Sequence, residues 1–253
     1  MNARTFTGNA SMTRPIAASR DESADESFVL RIARWFYVGM ALACIVTVFS
    51  GFAASFYLRP RTSMPELAPL VVAHGIVLTS WFVLFLAQTA LVSARRIRLH
   101  RWLGLAAFGL AVLIVVSSPV IAIGAARRGV LPGDPLAFLH VILWDILAFA
   151  VFVAAGMYYR RRSEPHKRLM LLATVSLLPP AISRWPIAVK QPAVIPMVLL
   201  VFVAAMLVHD RLARRRLHAV SLWGGLALLA SGPVRLALSQ TEAWHHIARW
   251  LVR

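Results

Sequence analysis

Carboxylates are scarce in this chain, with 10 Asp and Glu against 27 Lys and Arg in 253 residues. Four of them crowd into the N-terminal tail as Asp21, Glu22, Asp25 and Glu26. Asp145 is the only carboxylate deep inside an apolar stretch. Cysteine is rarer still. Cys44 stands alone, so neither a disulfide nor a CxxC pair is available, and redox chemistry would need a cofactor. Lysine occurs twice against 25 arginines, a bias better read as genomic composition than as phosphate binding. Several catalytic signatures are missing in any suitable context. There are no clustered HxxxH or HxxHH boxes, no Walker loop, no GxSxG elbow, no HExxH and no dinucleotide fingerprint.

Long stretches free of charge dominate what is present. Apolar residues make up 59% of the chain and the mean hydropathy is +0.71. Runs of about 20 apolar residues match the thickness of a bilayer and identify an integral membrane protein. The runs are continuous instead of alternating with period two, which excludes a β-barrel. The expected fold is an all-α bundle of seven transmembrane helices at 28–58, 66–94, 101–126, 135–159, 167–189, 192–210 and 218–238. Spans two to five form the core hairpins 66–126 and 135–189, and span one is peripheral. Residues 192–238 are a partial third repeat. Residues 1–27 read as a disordered cytoplasmic tail without the layout of a cleavable signal peptide, and 241–253 as a short amphipathic segment.

The net charge of +17 lies mostly in short turns. Turns 95–101, 160–168 and 211–216 carry four, five and four Lys or Arg, against two each in 59–66, 127–134 and 184–191. The positive-inside rule therefore puts those three turns and the N-terminus in the cytoplasm, and the C-terminus outside a bacterial inner membrane. The same distribution argues against a nucleic-acid partner. The lipid bilayer is the expected one.

A repeat organises the chain. His74 to Ala107 and His140 to Ala173 align at an offset of 66 residues, sharing the opening histidine, Arg95-Arg96 with Arg161-Arg162, and His100 with His166. Each copy is a histidine, an apolar helix, a basic turn and a second histidine, which is the signature of a repeated supersecondary unit. His218 keeps half of the pattern at the third hairpin. Pro192 stands where its other histidine would fall. On the helix of His74, Trp81 and Gln88 follow at intervals of seven and share its face. Asp145 falls about 15 Å below the outer end. An intramembrane acid marks a functional site by default, and Gln88 is a second polar candidate. Arg184 and Arg235 lie at similar depth near the outer ends of spans five and seven. Arg184 is the expected partner of Asp145. Pro179-Pro180 should break span five.

The four-histidine layout on spans two to five resembles the transmembrane di-haem b-type cytochromes. That resemblance implies haem b, with His74 and His140 as one pair of iron or metal ligands, His100 and His166 as the other, and Arg184 and Arg235 meeting propionates. It also implies a redox partner or quinone. The phrases HGIVLTSWFVLFLAQTALVSARRIRLHRWLG and PHKRLMLLATVSLLPPAISRWP are similar to those of an uncharacterised bacterial multi-span membrane protein family, which implies no activity. The reading that follows is an electron-transfer membrane protein. A small secondary transporter and a non-catalytic assembly or scaffold protein are the alternatives, since internal repeats and a broken helix also suit a transporter.

Overall fold

The structure, a computed structural model, describes residues 35–253. The expected N-terminal tail therefore lies outside the described residues, as do residues 28–34 of the expected first span. The described chain is helical throughout, with no strand. Six helices are long and apolar enough to cross a membrane: α1 (Trp35–Tyr57), α2 (Pro69–Ser93), α3 (Ile97–Arg127), α4 (Pro135–Tyr158), α8 (Val194–Arg214) and α9 (Val220–Ser239). Between α4 and α8 lie three shorter helices, α5 (Ser163–Ser176), α6 (Pro179–Ile182) and α7 (Pro186–Lys190). The chain ends in α10 (Glu242–Leu251).

Local chemistry sets these boundaries. Pro69 and Pro135 open α2 and α4 at a position where a missing N–H does no harm. Asp134 caps α4 by accepting from Leu136 N at 2.9 Å, and Thr241 caps α10 by accepting from Trp244 N at 3.3 Å. Pro179 and Pro180 cannot donate to the carbonyls one turn earlier, so the helix begun at Ser163 stops at Ser176. The segment expected as span five at 167–189, interrupted at Pro179-Pro180, is thus three short helices.

That broken segment is the centre of the packing. Leu171, Leu172, Ala173, Val175 and Leu178 are fully buried. Hydrophobicity cannot drive helices together within lipid, so close approach over small residues supplies the contact. Gly156 of α4 admits the Met170 sulfur, and Gly224 of α9 admits Leu172.

Helix α1, expected to be peripheral, is instead an integral wall. Its Ala41 and Cys44 are fully buried. Three consecutive residues clasp the break: Ser50 accepts from Trp185 Nε1 at 3.0 Å, Gly51 lies against the Ala181 backbone, and the Phe52 ring lies 4.3 Å under the Arg184 guanidinium. Only a residue without a Cβ fits at 51, since an added methyl carbon would stand 2.2 Å from the Ala181 carbonyl oxygen.

Candidate functional site

Two polar centres stand at different depths in the bundle. The first is built on Asp145, ten residues into α4 and therefore about 15 Å from its start. Its carboxylate pairs with Arg235 of α9. The partner expected from depth alone, Arg184, is elsewhere: it donates to the Pro180 carbonyl and stacks on Phe52. Depth constrains position along a helix and leaves the direction around it open, and α9 rather than the break faces this side of α4. Asp145 and Arg235 are both over nine-tenths buried. His140 lies on the same helix, five residues before Asp145. Its ring lies between Trp144, 5.6 Å away, and Trp244 of α10, at 4.6 Å. Trp244 is itself anchored by its indole N–H to the Leu136 carbonyl at 2.7 Å. Two buried nitrogens in this centre, His140 Nδ1 and Arg235 Nε, have no hydrogen-bond partner among the described residues.

His74 does not join them. Its Nδ1 lies 3.1 Å from the Ser117 hydroxyl of α3, and it makes no ring contact with His140. The expected outer pair is split between two environments, because the two histidines, although equivalent in the repeat, face different neighbours.

Near the C-terminal end of α4 the other expected pair does meet. The rings of His100 and His166 are centred 6.4 Å apart at 78°. His166 Nδ1 donates to the Gly156 carbonyl at 2.8 Å, which leaves its Nε2 lone pair bare. Gln88, with its amide turned to satisfy both ends, donates to the His100 carbonyl at 3.1 Å and to His100 Nδ1, and accepts from Gly104 N at 3.0 Å. This arrangement makes His100 Nδ1 an acceptor and puts the ring proton on Nε2. The pair therefore presents one N–H donor and one lone pair. A bis-histidine iron needs two bare nitrogens, so with Gln88 oriented this way the residues fit a shared water or proton better than a haem axis. Among the described residues no group of three or more His, Cys, Asp or Glu is placed to hold a metal ion.

Comparison of the chain with protein-family profiles, curated proteins and solved structures finds no match. The site must be judged on its own geometry.

Beside the inner pair lies a network that reading the basic turns as topology overlooks. Arg168 of α5 is fully buried. Its Nε–H is shared among Asp210 Oδ1 (3.1 Å), Asp210 Oδ2 (3.3 Å) and Ser221 Oγ (3.1 Å), and Nη2 also donates to Asp210. Nη1 donates to the Glu164 carbonyl at 2.9 Å and to its Oε2 at 2.6 Å. Arg214 closes on the same Glu164 oxygen, and Lys167 reaches the other at 2.9 Å. His218 N donates to Asp210 Oδ2 at 3.2 Å. Burial alone would raise the Glu164 carboxyl, but hydrogen bonds and charge from Lys167 and Arg168 hold it down at about 2. The network ties α5, α8 and the start of α9 into one unit. Its signal in the sequence was a lone acid inside one basic turn, Glu164, and another directly before a second, Asp210.

Proposed function

We propose that the chain is a small proton-handling secondary transporter of the bacterial inner membrane, with Asp145 and Arg235 as its working centre. The observation that carries this reading is a deep, buried ion pair with two unpartnered nitrogens beside it. Burying a charge within a bilayer is costly, and such groups mark ion or proton pathways by default. His140 Nδ1 and Arg235 Nε have no hydrogen-bond partner among the described residues, which favours a water, proton or small anion beside them. The broken α5–α7 segment supports the reading, because discontinuous helices at the centre of a bundle are a transporter device.

In this proposal the chain crosses seven times, with α5–α7 as the broken crossing. The start of α5 packs against the end of α8 through Asp210, and α6 packs against the far end of α1 through Gly51. The basic turns put the N-terminus in the cytoplasm and the C-terminus outside. Asp145 would take a proton when Arg235 withdraws, and the inner His100–His166 pair, one donor and one acceptor, would pass it through a bridging water.

The test is proton flux into liposomes carrying the purified protein and an internal pH dye, under an imposed gradient. Wild type should exceed protein-free liposomes and Asp145→Asn should not. A wild-type flux equal to that of empty liposomes overturns the proposal.

A second reading, a b-type haem or metal electron-transfer protein, rests on the inner pair alone. The His166 Nδ1 bond to a carbonyl is the kind of support that orients a ligating imidazole, and a half-turn of the Gln88 amide would free His100 Nε2. A visible absorption spectrum of the purified protein, oxidised and reduced, separates the two readings.

A further inference from the structure

The three strongly basic turns differ in one respect. Turn 160–168 contains Glu164 and turn 211–216 is preceded by Asp210, and these two acids pair with Lys167, Arg168 and Arg214. Turn 95–101 carries Arg95, Arg96, Arg98 and Arg101 with no acid in the segment, and none of the four makes an ion pair or side-chain hydrogen bond among the described residues. Unpaired within the described residues, these four guanidiniums at a membrane surface suit an anionic ligand such as a lipid phosphate.

The same turn opens a groove of about 490 Å³ on the outer face of α3, lined by Ile97, Arg98, Arg101, Trp102 and Leu105. These residues span nine positions, a rise of about 12 Å, and beyond Ile97 they run from charged to apolar. Arg98 and Arg101 stand at the basic end. Trp102, 74% exposed, comes next, and Leu105, 72% exposed, faces the apolar side. An exposed indole beside cations at a helix start suits the interface between headgroups and acyl chains. A phosphate at one end and hydrocarbon along the other is the outline of a phospholipid.

We infer that this groove is a binding site for one anionic phospholipid, its phosphodiester held by Arg98 and Arg101 and an acyl chain lying over Trp102 and Leu105. The neutral phosphatidylcholine headgroup carries its own cation and competes poorly for the two guanidiniums. A basic residue near a lipid surface contributes about 1 kcal/mol, so each arginine should give about a fivefold preference for the anionic lipid. The inference does not depend on the transporter reading.

The test uses the full-length protein in nanodiscs containing acyl-chain-brominated phosphatidylglycerol or brominated phosphatidylcholine at the same mole fraction. The contribution of Trp102 is the difference between wild type and Trp102→Phe. That component should be quenched more strongly by the anionic lipid, at a several-fold lower mole fraction for half effect. Arg98→Ala with Arg101→Ala should bring the two lipids level, while Arg160→Ala with Arg161→Ala should leave the preference intact. Inorganic phosphate at millimolar concentration should not relieve the quenching, because it lacks the chain. Equal quenching of wild type by both lipids overturns the inference, as does a preference that survives loss of Arg98 and Arg101 or is removed by inorganic phosphate.

Discussion

Removing one partner of the inner network should be far worse than removing the charges together. Arg168→Met leaves Asp210, 1% exposed, without its guanidinium contacts and removes one of the three cations that pair with Glu164. Breaking a buried pair this way costs about 3–5 kcal/mol. At roughly 2–4 °C per kcal/mol for a chain of this size, the melting temperature should fall by about 6–20 °C. The double variant Arg168→Met with Asp210→Leu removes the stranded charge and should recover most of that loss, because well-packed apolar replacements of buried pairs are often neutral or better. The chain carries a suitable reporter. Cys44 is its sole cysteine and is fully buried, so a thiol-reactive dye follows unfolding in detergent without further labelling. A single variant melting within about 2 °C of wild type would refute the energetic reasoning. So would a double variant less stable than Arg168→Met alone.

Docking of α10 should depend on pH. His245 Nδ1 faces the Thr241 carbonyl at 2.9 Å and Nε2 faces the Asp134 carboxylate at 2.7 Å; both are acceptors, so both ring nitrogens must carry protons. The Asp134 hydrogen bond raises the His245 imidazole above its ordinary value, and the same bond lowers the Asp134 carboxyl. The His245 contribution is complete below about pH 6.5 and disappears as pH rises through its raised value, while that of Asp134 disappears as pH falls through its lowered one. Hydrogen exchange across 242–251 should therefore be slowest between about pH 4 and 6.5, and His245→Gln should abolish the alkaline limb; an unchanged profile in that variant would exclude the mechanism. Gly51→Ala should lower the Cys44-reported melting point by several degrees through its clash with Ala181, whereas Gly39→Ala, which meets nothing within 4 Å, should leave it unchanged. Equal effects of the two substitutions would mean that α1 does not depend on that contact.

What could be read from the sequence was whatever repeats or is charged along the helix axis. Uninterrupted apolar runs announced a helical membrane protein, Pro179-Pro180 announced the break, and the repeated basic turns brought His100 and His166 to the same level, where they do meet. Direction around a helix was not legible. Asp145 was identifiable as a lone acid, but two arginines at similar depth competed for it, and only packing turns α9 towards α4. His74 and His140 occupy equivalent positions in the repeat and still face different neighbours, Ser117 for one and Trp244 for the other. Arg168 and Asp210 were hidden for a different reason. Charges near a membrane surface are usually solvated topology signals, and nothing local distinguishes the buried ones. The part played by α1 was invisible because Ser50 and Gly51 are small residues whose meaning depends on a segment far along the chain.

That distance has a consequence for biogenesis. Ser50 and Trp185 are 135 residues apart. At roughly 5–20 residues per second, a ribosome needs about 7–27 s to deliver the second after the first. Throughout that interval the face of α1 formed by Ala41, Cys44, Val48 and Gly51 has only lipid, an insertase or an early neighbouring helix to lie against. The final bundle therefore cannot assemble strictly in the order of synthesis. Its first helix must wait in the membrane, and a nascent chain arrested before residue 185 should leave Cys44 open to a membrane-permeant thiol reagent that the finished protein excludes.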